Sequence, residues 1–130
     1  MRTPRCTQVP EAARYRRKAI RAIHYDGETL IAELQGEDFA YARVVFAAPV
    51  GFRVLDERDL AEFWPAYSEP HGWLYEVHEG GWLELERQRG GFSSPDLYAD
   101  LREYLLVDER CLSVLCCDPP RIVDVGRRLA

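Results

Sequence analysis

The side chains best suited to chemistry gather in GWLYEVHEGGWLELERQRGG, from Gly72 to Gly91. Glu76, His78, Glu84 and Glu86 are titratable, and Trp82 offers a large aromatic surface. Two carboxylates facing each other across adjacent strands match the acid pair of a retaining glycosidase. No ligand cleft can be inferred beside them, so paired acids on a sheet read first as surface. His71, Glu76 and His78 are metal-ligand types, but their spacing fits neither a closed Cys2His2 site nor HExxH. His24 has no evident partner. A cysteine nucleophile requires Cys111, Cys116 or Cys117 to meet a histidine in space. There is no GxGxxG or GxxxxGK[ST] phosphate loop. Gly80-Gly81 and Gly90-Gly91 read as turn glycines. No catalytic residue, metal site or cofactor is assigned.

The element that must position this cluster reads as a β-hairpin, and its register decides which residues share a face. A two-residue Gly80-Gly81 loop sets Val77 opposite Glu84 and Tyr75 opposite Glu86, leaving both faces mixed. A three-residue Glu79-Gly80-Gly81 loop sets Val77 opposite Leu83 and Tyr75 opposite Leu85, with Trp73 beside them. The second register gives one apolar face, and its loop is a common hairpin type with glycine in the left-handed position. The other face then carries Leu74, Glu76, His78, Trp82, Glu84 and Glu86. Glu76 and Glu84 stand directly opposite, at a cost of up to about 1 kcal/mol. A solvated outer face explains that pairing, and so does a face held ready for a cationic partner. The second explanation suits Trp82, because tryptophan is enriched at interface hot spots. Trp82 is expected to be partly exposed, on the opposite sheet face from Trp73.

The rest of the chain supplies the scaffold. KAIRAIHYDGETLIAELQ has two alternating runs about Asp26-Gly27, a strong hairpin signal. FAYARVVF and GFRVL read as further strands. DERDLAEFW changes to helical spacing, with Asp56 as N-cap and Pro65 as the stop. SSPDLYADL reads as a short helix with Ser94 as N-cap and Pro95 at the first helical position. REYLLVDERCLSVLCC is a hairpin, apolar on both faces and therefore central. PPRIVDV suits an edge strand, where prolines are tolerated. The fold class expected is mostly β with a minor helical part. It is a curved antiparallel sheet or partly open barrel of about seven or eight strands with two short helices.

The chain has 130 residues, one domain by length, and needs no metal or disulfide to fold. Residues 1–17 read as a flexible basic arm or a short helix near Pro10, and residues 18–130 as a single β domain. No apolar run is long enough to span a membrane, and the start lacks a signal peptide's apolar core, so a cytoplasmic protein is expected. Cys6, Cys111, Cys116 and Cys117 then read as free, mostly buried thiols. Arginine supplies all basic residues except Lys18, and asparagine is absent, a composition expected of a GC-rich bacterial genome. Charge is uneven. Residues 1–22 carry net +6, residues 23–118 net −13 and residues 119–130 net +2. Arg2, Arg5, Arg14, Arg16, Arg17, Lys18 and Arg21 could touch nucleic acid, but the acidic body argues against that partner.

The run from VGFRVLDERDLAEFW through GWLYEVHEGGW to LREYLLVDERCLSVL resembles a group of small uncharacterised bacterial proteins, some of them immunity proteins of toxin systems. That resemblance covers roughly residues 20–120 and carries no catalytic motif. It favours a binding protein over an enzyme. The leading expectation is a protein that neutralises a basic partner, such as a toxin, through Glu76, His78, Trp82, Glu84 and Glu86. A small-molecule or catalytic pocket inside the curved sheet, lined by Tyr75, Tyr104, Trp73 and Phe52, is the alternative. A homodimer through an apolar strand edge is a third arrangement.

Overall fold

A computed structural model describes residues 3–15, 19–36, 40–67 and 72–126. Nine strands appear among them, against the seven or eight expected: β1 (Arg5–Gln8), β2 (Ala19–Tyr25), β3 (Thr29–Gln35), β4 (Tyr41–Ala47), β5 (Gly51–Asp56), β6 (Leu74–Glu79), β7 (Arg102–Leu106), β8 (Arg110–Cys116) and β9 (Arg121–Gly126). They form two antiparallel sheets, in the orders β1-β6-β7-β8-β5 and β2-β3-β4-β9. The fold is mostly β as expected, and the sheets do not close into a barrel. Within the segment read as an arm, Arg5–Gln8 is an edge strand paired with β6, and Pro10–Arg14 is a 3-10 turn.

Local chemistry explains most of these elements. At the β2–β3 turn Gly27 takes φ 98°, while Asp26 Oδ1 accepts the Glu28 and Thr29 amide hydrogens at 2.8 Å each. Those two bonds hold the Asp26 carboxyl below its ordinary pKa. In β3 every second residue, Leu30, Ala32 and Leu34, is fully buried opposite Phe46, Val44 and Ala42 of β4. That alternation faces Leu74, Tyr104, Leu106, Leu112 and Val114 of the five-stranded sheet across the main core. Each leucine, valine or phenylalanine among them, fully buried, contributes about 1.5–3 kcal/mol. Trp73 closes one end. Its indole N–H donates to the Ala12 and Tyr15 carbonyls at 2.9 and 3.1 Å, which ties the N-terminal turn to the core.

The five-stranded sheet is covered on its other face by helical segments. A 3-10 helix, Glu57–Phe63, leads into α1 (Trp64–Tyr67). Asp56 caps it as expected, accepting the Arg58 amide hydrogen at 2.9 Å. Pro65 does not end the helical stretch. It occupies the first turn of α1, where its missing N–H costs nothing, and the break falls at Leu60 (φ −126°, ψ 36°). Leu60 and Phe63 pack on Tyr75, Val77, Leu105 and Cys111. A further helix, α2 (Trp82–Arg87), covers the neighbouring part of the sheet, where Leu83 meets Leu101 and Leu115, while the short α3 (Ser94–Leu97) buries no residue. The cap position of α3 is Ser93 rather than Ser94.

Candidate binding site

The hairpin expected after β6 does not form. Gly80 takes the left-handed turn, φ 74°, but the chain beyond Gly81 enters α2 instead of a returning strand. WLELER contains no β-branched residue, and leucine, glutamate and arginine are good helix formers. Burial follows the helix. Leu83 is buried and Leu85 is 42% exposed, whereas a strand would place them on one face. The three-residue-loop register expected for this segment therefore does not form. Glu76 stands opposite Tyr104 of β7 and Thr7 of β1, and Glu84 faces no strand. Trp73 belongs to the core between the sheets, while Tyr75 and Val77 point to the helix-covered face.

The five residues expected on one face thus divide. Glu76 and His78 alternate with Tyr75 and Val77, on the side of β6 that faces the other sheet. Trp82, Glu84 and Glu86 ride on α2, across the five-stranded sheet. Trp82 is half-buried, as expected, and lies on the far side of the sheet from Trp73.

A buried carboxylate positions α2. Glu103, only 1% exposed, accepts the Leu83 amide hydrogen at 2.8 Å through Oε1, and the Trp82 amide adds a second bond. These are first-turn amides that the helix itself leaves unpaired. Gly81 makes the approach feasible, since a Cβ there would fall 2.6 Å from Glu103 Oε1. Burial pushes the Glu103 pKa up, against the pull of these bonds and of Arg53. The Arg53 guanidinium lies over the Trp82 ring, 5.0 Å from its centroid, in the field of Glu103, Glu62 and Glu86. Trp82 Nε1 donates to Glu86 at 3.1 Å, and Arg89 Nε donates to Glu86 at 2.6 Å.

Between the end of β6 and α2 opens a cavity of about 240 Å³. Glu79, Glu84 and Glu103 line it together with His78 and Arg87. Glu84 also accepts the Gly80 amide hydrogen at 2.6 Å, so its carboxylate is held at the turn. Arg5 reaches Glu79 at 3.5 Å, and Arg87 brings a second guanidinium to the same lining.

On the other side of β6, Thr7 Oγ1 and His78 Nε2 are 2.8 Å apart, and His78 Nδ1 is 3.7 Å from Glu76 Oε2. Among the described residues no three His, Cys, Asp or Glu side chains gather as a metal site. His71, Arg2, Arg16, Arg17 and Lys18 lie outside the described residues. Of the proposed pocket lining, Trp73, Tyr104 and Phe52 pack in or against the core between the sheets and Tyr75 on the opposite face, so the four share no pocket. Among the described residues no helix is long and apolar enough to cross a membrane.

Glu103, Arg53 and Thr7 were not singled out from sequence. An acid inside REYLLV and a base inside GFRVL, each in a run otherwise fit for burial, were the available signals. Thr7 gave none, since its strand lies in a segment with little apolar periodicity. Comparison with family models, with curated proteins and with solved structures finds no match.

Proposed function

We propose that this chain is a binding protein for a basic protein partner, with the cavity beside α2 receiving a lysine or arginine side chain. The observation that carries this reading is the cavity, where Glu79 and Glu84 line the space and Glu103 lies buried. Coulomb attraction strengthens as water is excluded, so a cation seated there gains more than one on an open surface. The exposed Glu57, Asp59 and Glu62 extend the negative field along the same helical side and would steer a basic partner. A finer reading is a cytoplasmic bacterial immunity protein neutralising a basic toxin, which the resemblance of the sequence favours.

The test takes the product of a neighbouring toxin gene as partner and measures its association rate across a salt series. Association should slow steeply with ionic strength, and Glu79→Gln with Glu84→Gln should weaken binding while the melting temperature holds. Binding that ignores both salt and the double variant would overturn the reading.

A further inference from the structure

We propose that Thr7, His78 and Glu76 form a hydroxyl–imidazole–carboxylate relay that makes Thr7 Oγ1 a nucleophile toward activated carboxylic esters. Backbone pairing assembles the trio. Thr7 on the edge strand β1 lies opposite Glu76 on β6, and His78, two residues on, shares the Glu76 face. The register shifts between Arg5 and Cys6, next to the position His78 would face. There the imidazole reaches across to the hydroxyl.

The distances run in the order that hydroxyl activation needs. His78 Nε2 is 2.8 Å from Thr7 Oγ1, within proton-transfer reach. Its Nδ1 lies 3.7 Å from the Glu76 carboxylate, beyond direct hydrogen-bond length, so Glu76 acts on the ring through its charge, and the step uses the tautomer with the proton on Nδ1 and Nε2 free to accept. Thr7 and His78 are exposed, so an acyl donor can approach.

In the step, the Thr7 Oγ–acyl carbon bond forms as the hydroxyl proton passes to His78 Nε2. The bond from the acyl carbon to the leaving oxygen breaks, and that oxygen takes the proton from His78. Water, deprotonated by the same base, attacks the acyl-threonine, the acyl carbon–Oγ bond breaks, and the carboxylic acid leaves as Oγ takes back the proton. No oxidant or metal enters. Glu76 acts through the imidazole and is a positioning residue.

The experiment exposes the full chain to 4-nitrophenyl acetate and follows nitrophenolate release together with peptide mass mapping. An acetyl group on Thr7 of the wild-type protein is expected. Thr7→Val should abolish that label, Thr7→Ser should keep it, and His78→Gln should slow acylation about 100-fold or more. Glu76→Gln should lower kcat and leave KM near its wild-type value, and acylation should slow in deuterium oxide. Thr7→Val and His78→Gln also remove a link between β1 and β6, so circular dichroism accompanies each variant. If either unfolds, Thr7→Ser and Glu76→Gln carry the test alone. A wild-type chain with no acetyl-threonine at position 7 would overturn the proposal. Acylation of Thr7 that is indifferent to His78→Gln in a folded protein would do so equally.

Discussion

The Glu103 carboxylate, on the central strand of the five-stranded sheet, accepts the amide hydrogen of Leu83 in the first turn of α2 at 2.8 Å. A helix of this length has little stability of its own. A buried strand residue supplies the cap that a serine or aspartate before the helix would ordinarily provide. The helix, the cavity and the Trp82–Arg53 contact therefore all depend on one acidic side chain from β7.

Glu103→Ala should lower stability by about 1–3 kcal/mol, the cost of leaving buried amides unpaired. Glu103→Gln, which keeps an acceptor, should cost less. Chemical denaturation measures both.

The Glu103 comparison also has a pH signature. Burial raises the native-state pKa above the ordinary 4.5, so the folded protein holds this proton more tightly than the unfolded chain. The contribution is full below about pH 4.5 and is lost as pH climbs through the native value. Asp26, Asp56 and Glu86 are shifted downward and pull the other way. The stability difference between wild type and Glu103→Gln isolates the one group. That difference should fall as pH rises across the window, and a flat or rising difference would refute the assignment.

Gly81→Ala should destabilise even though the backbone there, φ −109°, is open to any residue. The new methyl would meet Glu103 Oε1 at 2.6 Å and Val77 Cγ1 at 2.7 Å, and both side chains are buried. Overpacking of this kind typically costs about 1–3 kcal/mol. Melting curves should show the loss, and it should shrink in a Glu103→Gln or Glu103→Ala background if the carboxylate is the obstacle.

The α2 segment also shows where sequence reading reached its limit. Strict alternation in β3, Leu30, Ala32 and Leu34 inward, has one interpretation, and the Asp26-Gly27 turn beside it is where it was expected. The hydrophobic character of REYLL and CLSVLC likewise marks central strands, and β7 and β8 are flanked on both sides. WLELER is ambiguous. Leu83 and Leu85 alternate with acids as in a strand, yet leucine, glutamate and arginine are good helix formers and Leu83 is the buried residue of the helix. Glu103, far along the chain, accepts the first-turn amides of the helix, and no local pattern carries that contact. The absence of β-branched residues is the local sign of a helix, and a register argument that compares only hairpin loops does not use it. Of the expected face, Glu76 and His78 stay together, while Trp82, Glu84 and Glu86 move to the opposite side of the sheet.

The two tryptophans should respond differently to truncation, though less so than an exposed Trp82 would imply. Trp73 is 3% exposed and donates to two carbonyls, so Trp73→Ala should cost about 3–5 kcal/mol. Trp82 is half-buried, lies where a Cβ on Gly51 would meet its ring at 3.5 Å, and carries the Arg53 guanidinium. Trp82→Ala should therefore cost about 1–3 kcal/mol, more than an ordinary surface change. Equal losses in urea unfolding would contradict the placement of Trp73 in the main core.

The cysteines offer a probe of how the sheet opens. Burial pushes the Cys6 and Cys116 thiols up to about 12, and it raises Cys111 as well. The thiolate is the species that reacts, and at pH 8 a thiol at that value is ionised in only about one molecule in ten thousand. Cys117 is the one cysteine with a partly exposed side chain. In native protein at pH 8, iodoacetamide should therefore modify Cys117 first, as read by peptide mass mapping. Cys6 sits on the short edge strand β1, while Cys116 lies in the main core. Edge elements open at lower free energy than the core, so Cys6 should be labelled before Cys116. Cys116 should be labelled only as fast as the whole protein unfolds. Modification of Cys116 at the Cys117 rate would mean that β8 is not held between β7 and β5 as the pairing describes.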